Sequence, residues 1–204
     1  ASSKEDVLAA SVNVGSPVIW NPVTERFGKK ISGKAMDDRA QLAVMIELAE
    51  RLAECDLTHD VFMASTVQEE IGWIGASALA FKEDFDIALS LDIGLAGDIP
   101  GIEPGRLPIR LGDGPVLVHK DGRIHYDYKI LKELAEIAKK KDIAIQHGVF
   151  PYYSSDCKTL VAGNAKPCLV APPARYTHSP FETVHEEDLK KLVELVYHFL
   201  IGKP

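Results

Sequence analysis

The chain has 204 residues, of which 46% are apolar and 26% charged, and a net charge of −7. This composition excludes disordered and fibrous architectures and allows one sizeable core with a small appendage. The acidic residues are spread along the chain and not gathered in one tail, so the overall field opposes phosphate backbones and anionic lipid surfaces, and neither nucleic acid nor membrane is expected as a partner.

Three cysteines, Cys55, Cys157 and Cys168, are odd in number and lack CxxC spacing. They argue against a disulfide framework or a zinc ribbon and fit a reducing, cytoplasmic setting. No apolar run approaches the roughly 18 residues needed to span a bilayer, and the start at 1–6 has no signal-peptide profile. The chain also lacks an initiator Met, as a processed chain or a fragment would.

In chain order, Ser3 before Lys4, Glu5 and Asp6 predicts a short capped helix. Residues 17–20 and 30–32 are expected as short strands around a turn-rich stretch at 21–28. This first segment of about 33 residues is too small to bury a core alone. From Asp38 the pattern alternates α and β: a helix from about Asp38 to Glu54 with Leu42, Met45, Ile46, Leu48 and Leu52 inward, an apolar strand at 61–67, and a helix at about 72–81. A second apolar strand at 87–92 reads as buried on both faces of a parallel sheet. After a Gly/Pro-rich stretch at 94–108 come an edge strand at 115–119, a helix at about 128–141, a strand at 143–147, a helix at about 155–162, a strand at 167–171 and a terminal helix at 186–200. The basic run Lys139, Lys140 and Lys141 fits a solvated helix C-terminus. The predicted fold class is α/β, a mixed, mostly parallel sheet flanked by helices.

Several polar residues stand where such strands end. Asp37 and Asp38 open a helix: Asp38 is a candidate N-cap, while a carboxylate at Asp37 has the chemistry to bridge two divalent cations. Glu69 and Glu70 follow the strand at 61–67; they read either as a solvated helix start or as one metal ligand beside one free general base. Asp92 ends an otherwise apolar strand, as a cap or a ligand. His178 lies in a Pro-bounded loop, where a lone imidazole has no necessary role. In open α/β sheets, ligands collect outside the carboxyl ends of strands, where Asp37, Glu69, Glu70, Asp92 and His178 would meet. Oxygen-rich ligation with imidazole suits Zn, Co or Mn.

The stretches 33–40 (Gly-Lys-Ala-Met-Asp-Asp-Arg-Ala), 66–72 (Thr-Val-Gln-Glu-Glu-Ile-Gly), 89–94 (Leu-Ser-Leu-Asp-Ile-Gly), 155–157 (Ser-Asp-Cys) and 175–182 (Arg-Tyr-Thr-His-Ser-Pro-Phe-Glu) resemble, in order and spacing, the M42 family of metallo-aminopeptidases. That resemblance implies a zinc-exopeptidase-like catalytic domain into which a small β-rich dimerisation domain is inserted. Residues 1–33 would be the tail of the insert and 34–204 the C-terminal part of the catalytic domain. It implies Asp37 as the bridging carboxylate, joined to Asp38 by a cis peptide. Glu70 and His178 would complete one metal site, Asp92 would belong to a second, and Glu69 would be the general base for a metal-activated water that attacks the peptide bond. One or two divalent ions per chain (Zn or Co first, Mn next), peptide substrates, and homo-oligomers in which dimers build a dodecamer follow from the same resemblance. The family's earlier His, partner of Asp92 at the second metal, has no counterpart here, since no histidine precedes His59. Gln41 stands where the family often has Gly.

Two rival readings remain at this stage: a catalytically incomplete remnant or assembly subunit of the same fold, and an endoglucanase-type glycosidase using Glu69 with Asp92. The second leaves His178 without a task. His125, His147 and His185 show no ligand spacing and read as surface or satisfied histidines. Asp156 reads as a helix cap or a neighbour of the substrate amine, and Cys157 has no activating base in sequence. Specificity is expected in the loops 94–108 and 148–156.

Overall fold

Helices start where the sequence supplies an acceptor for free amides and continue where apolar residues recur on one side. In chain order they are α1 (Lys4–Ala9), α2 (Met36–Leu52), α3 (Ile74–Ala80), α4 (Tyr128–Lys140), α5 (Cys157–Leu160) and α6 (Glu186–Leu200), with a 3-10 turn at Val161–Gly163. The structure, a computed structural model, describes residues 1–103 and 105–202. Pro104, inside the stretch 94–108, and the last two residues of the expected 34–204 domain lie outside the described residues.

The Ser3 hydroxyl caps α1 by accepting from the Asp6 amide at 3.1 Å. Asp127 Oδ1 caps α4, accepting from the amides of Lys129 at 2.8 Å and Ile130 at 3.1 Å. Such a cap contributes about 1 kcal/mol. Helix α4 buries Ile130, Leu131, Leu134 and Ala138, one face at helical spacing. Helix α6 opens with Glu186, Glu187 and Asp188, whose charge suits the helix start, and buries Leu192, Val193, Leu195 and Val196. Asp188 is itself buried and accepts from the amides of Gly112 at 2.7 Å and Gly114 at 2.8 Å. Gly114 has φ +101, and a Cβ there would lie 2.0 Å from the Ala144 carbonyl oxygen, so no other residue fits.

The strands are β1 (Glu25–Phe27), β2 (Lys30–Gly33), β3 (Ile87–Leu91), β4 (Gly94–Leu95), β5 (Val116–Asp121), β6 (Gln146–Phe150), β7 (Lys166–Ala171), β8 (Pro173–Arg175) and β9 (Glu182–His185). They form two mixed sheets, ordered β3-β7-β5-β6 and β1-β2-β9-β8-β4. In the first, β3 runs parallel to β7 and β5 parallel to β6, while β5 and β7 are antiparallel. The parallel pair β3 and β7 does not stop at the sheet's end. A residue or two further on it re-pairs as β4 and β8, with Gly94 opposite Pro173, in the second sheet. Asp92 therefore sits where one sheet passes into the other.

Helices α2 and α4 flank α6, α4 lies on β5, and α5 packs on β3 and β7 with α3 outside it. The main core joins Val116, Leu117 and Val118 of β5 to Leu169, Val170 and Ala171 of β7, Leu134 of α4, and Leu192 and Leu195 of α6, all fully buried. A smaller cluster of Ala40, Ile93, Ala174 and Val184, backed by Ile31, Met36 and Leu189, lies under the junction of the sheets.

The α/β class and the helices at 36–52, 128–140 and 186–200 agree with the sequence reading. Several details do not. Residues 61–67 form no strand: Phe62 and Val67 are exposed, and nothing among the described residues pairs with this segment. Extended chain becomes a strand only with a neighbour to accept its hydrogen bonds. Residues 17–20 are likewise unpaired, while the turn-rich stretch yields β1 against β2. The expected edge strand β5 lies inside its sheet with Val116, Leu117 and Val118 buried, and β3, expected to be buried on both faces, buries only Ala88 and ends the sheet among the described residues. On α2, Leu42 and Ile46 face outward, and Ala40, Gln41, Val44, Leu48 and Leu52 form the inner face. The short strands β4, β8 and β9 carry too few residues for an alternation to register.

Candidate metal centre

Three elements aim side chains at one point. After β2, Ala35 takes a left-handed turn (φ 55), and the cis peptide Asp37-Asp38 departs from helical geometry before α2 becomes regular. Asp38 Oδ1 then accepts from the Gln41 amide at 3.3 Å, the N-cap role expected of it. This leaves Asp37 free to face the site, its side chain 15% exposed. Glu69 and Glu70 lie on a tight turn closed by the Gly72 and Trp73 amides, both donating to the Glu69 carbonyl, with Gln68 and Trp73 at positive φ. That turn sits on α3 through Gly75, where a Cβ would come within 2.6 Å of the Val67 amide nitrogen. His178, at φ 61, stands in the loop between β8 and β9.

The result is a cluster in which His178 Nε2 lies 3.4 Å from Asp37 Oδ2 and 3.2 Å from Glu70 Oε2. Among the described residues this is the one group of three potential metal ligands whose donor atoms all lie within 4.8 Å of one another. Two carboxylates and an imidazole with an open side suit a divalent ion of the Zn, Co or Mn kind. Glu70 and His178 are exposed, so the approach is open.

The electrostatics point the same way. Burial, then Glu70 and Glu182, pushes the Asp37 carboxyl up to about 6. Burial followed by Asp92 and Asp37 raises Asp38 to about 10, and burial followed by Asp37 raises Asp92 well above the usual range. Glu69 is raised to about 7 by burial, then by Glu70 and Asp156, while the Trp73 indole N–H facing it acts in the opposite sense. Acidic groups crowded in this way hold protons unless a cation compensates them. A divalent ion at Asp37, Glu70 and His178 is the compensation the arrangement fits.

Asp92 is not one of the three residues whose donor atoms lie within 4.8 Å of one another, yet it is near enough to Asp37 for the two charges to oppose each other. Its Oδ1 accepts from the Ile93 amide at 2.6 Å, and the buried Tyr153 hydroxyl faces it. Asp156, read as a cap or an amine neighbour, is not a cap: it makes no capping hydrogen bond, Thr66 donates its hydroxyl to Oδ2, and Oδ1 is buried without a partner. Cys157 is sealed in the core against the Ala88 and Cys168 carbonyls, with its thiol pushed up to about 12, as an inert thiol should be.

Two supporting residues escaped the sequence reading. Glu182, only 3% exposed, accepts with Oε2 from the Asp37 amide at 2.9 Å and with Oε1 from the His178 amide at 2.8 Å. One buried carboxylate thus ties together the backbones of two candidate ligands from opposite ends of the chain. Gln41, buried at 1% exposure, donates from Nε2 to the Asp92 carbonyl at 2.9 Å and so fixes the end of β3. A carboxylate opening a short strand four residues after His178 was the available signal for Glu182, but only the pairing of Gly33 with Glu182 across β2 and β9 gives it meaning.

A family model described as M42 glutamyl aminopeptidase matches residues 1–195. A putative aminopeptidase of Acetivibrio thermocellus is 31% identical over 96% of this chain and 58% of its own length. The lysyl aminopeptidase of Pyrococcus furiosus is 28% identical over 96% of this chain and 56% of its own. Among solved structures, an aminopeptidase from Desulfurococcus kamchatkensis superposes with a TM-score of 0.91 at 32% identity, over 100% of this chain and 58% of that one. A dodecameric TET1 structure superposes at 0.78 with 30% identity, over 89% of this chain and 54% of that one. The chain thus spans little more than half the length of the relatives it matches. It belongs to the M42 glutamyl aminopeptidase family.

Proposed function

We propose that this chain carries the catalytic centre of a divalent-metal aminopeptidase that removes N-terminal residues from peptides. The reading rests on one observation above all: Asp37, Glu70 and His178 converge on one point beside a Glu69 that belongs to the same turn yet lies outside the cluster. Asp37, Glu70 and His178 would hold the ion, Zn or Co by preference and Mn as a third candidate, which would supply Lewis-acid polarisation of the scissile carbonyl and of water.

The chain's own groups supply the rest. Glu69, with its carboxyl near 7, is poised to take a proton from the attacking water at neutral pH and return it to the leaving amine. Glu182 holds the Asp37 and His178 backbones so that their side chains keep their mutual distance. Asp92, beside Tyr153 and with its backbone carbonyl held by Gln41, is assigned to a second ion with Asp37; an imidazole from elsewhere would be needed to hold that ion firmly. Residues 1–33, with Val18, Ile19, Trp20 and Val23 exposed, are assigned to an inserted dimerisation domain, and 34–204 to the catalytic domain. The assembled protein is proposed to be a homo-oligomer, with dimers building a dodecamer, acting in the cytoplasm. No helix among the described residues is long and apolar enough to cross a membrane.

The glycosidase alternative has less support, because the curated relatives matched over most of this chain are named aminopeptidases and a glycosidase pair of Glu69 and Asp92 leaves His178 without a task. The deciding experiment is Glu69→Gln assayed on aminoacyl p-nitroanilides with metal content measured in parallel. Retained metal with lost hydrolysis supports the assignment, and parent-level hydrolysis refutes it. A parent chain that takes up no divalent ion would instead favour the incomplete remnant.

A further inference from the structure

Strands β5 and β6 carry a second pair of ligating side chains, separate from the acidic cluster. His119 Nε2 lies 2.8 Å from His147 Nδ1, with ring centroids 5.0 Å apart and planes tilted by 38°. A register irregularity brings them together. Leu117 pairs with His147 and Val118 with Gly148, but Lys120 pairs with Val149, so His119 is an extra residue without an opposite number. Irregularities of this kind redirect a side chain that regular pleating would place elsewhere. The pair is accessible because β6 is the outer strand of its sheet among the described residues and His147 is exposed.

Two neutral imidazoles at this distance share one proton, one ring donating and the other accepting, so both nitrogens point at a common position. An ion bound at about 2.0–2.1 Å from each nitrogen would hold them roughly 2.9–3.4 Å apart. For an ion to take that position, the donating ring shifts its proton to its other nitrogen, giving the alternative neutral tautomer, and the two rings tilt and part by up to about 0.6 Å. Burial and the neighbouring His147 both lower the affinity of His119 for a second proton, which keeps its ring available as a ligand at neutral pH. The adjacent Lys120 ammonium is engaged with the Asp121 carbonyl at 2.8 Å.

We propose that His119 and His147 form a two-imidazole binding site for a late first-row divalent cation, with solvent completing its coordination. A donor set of imidazoles without carboxylate favours Cu, Ni and Zn over Mg, Ca and Mn. It thus differs in selectivity from the oxygen-rich cluster at Asp37.

The test is calorimetric titration of the EDTA-stripped chain with Ni2+, comparing the parent with His119→Ala, His147→Ala and His147→Gln, each checked for native circular dichroism. To silence the acidic cluster, the same series is run on an Asp37→Asn, His178→Ala background. There, Ni2+ should still bind to the intact pair and weaken by about tenfold or more when either histidine is replaced. The Cu2+ form should show coordinated nitrogen by electron paramagnetic resonance, lost in the same variants. Unchanged Ni2+ titrations in folded His147→Ala and His147→Gln variants would overturn the proposal and leave the pair as a hydrogen bond alone. Equal binding of Mg2+ at the pair would overturn the selectivity argument.

Discussion

Replacing Glu182 by Gln tests whether the candidate centre depends on a buried carboxylate that itself touches no ion. Glu182 accepts from the Asp37 amide at 2.9 Å and from the His178 amide at 2.8 Å. The substitution keeps size and shape, but one oxygen becomes an NH2 group facing an N–H, so one charge-assisted bond is lost and one donor is left unmatched. Such a bond is worth about 1.5–3 kcal/mol. With one of the two bonds retained in weakened form, a destabilisation of about 2 kcal/mol is expected, which lowers the melting temperature of a chain of this size by roughly 4–8 °C. Metal affinity should fall by about 10–100-fold, as it does when groups supporting metal ligands are lost. The assay is thermal unfolding of the EDTA-treated chain with and without Zn2+, together with calorimetric Zn2+ titration. An ordinary surface Glu would show neither effect. If Glu182→Gln melts and binds Zn2+ like the parent, the two hydrogen bonds do not hold the centre and the reasoning fails.

Other outcomes follow from the same geometry. Asp37→Asn should abolish tight Zn2+ uptake while relieving acidic crowding, so that the metal-free variant melts no lower than the parent; a lower melting point would show that Asp37 serves the fold instead. In the folded metal-free chain Asp37 sits near 6 and Glu69 near 7, against 3.8 and 4.5 for free groups. The folded form therefore holds protons that the unfolded chain releases, and stability should fall as pH rises from about 4 to about 7. Added Zn2+ should reverse that slope, and denaturation curves at about pH 5 and about pH 8 measure it. Leu134→Ala, at the fully buried centre of α4, should cost about 2–5 kcal/mol in urea unfolding and leave Zn2+ affinity unchanged once folded. A cost below about 1 kcal/mol would mean that α4 is not packed as described.

The long helices were legible because their signals are local. Asp127 ahead of Tyr128, and Ile130, Leu131 and Leu134 at helical spacing, specify α4 without reference to the rest of the chain. The same holds for α6 and for the apolar runs of β3, β5 and β7. What misled was pairing. Residues 61–67 have a strand's composition but no strand partner among the described residues, while β8 and β9, at three and four residues, become strands only because they find each other and β2. At the candidate site, Asp37, Glu70 and His178 were nameable from their motifs. Glu182 and Gln41 were not, because their task is to accept from or donate to a backbone far away in sequence. His119 and His147 were also invisible as a pair, since a spacing of 28 residues carries no meaning until a register irregularity aligns them.

By itself the sequence determined the α/β class, the positions of the main helices, and the residue types of a candidate divalent-metal centre. These properties reside in short windows of side-chain chemistry. The tertiary structure alone decided which carboxylates share a point in space, that Asp92 lies at the passage between two sheets outside the Asp37, Glu70 and His178 cluster, and that Glu182 joins segments 145 residues apart. Distances of that kind follow from strand register and sheet order, which arise from many weak contacts made together and are written in no single stretch of the chain.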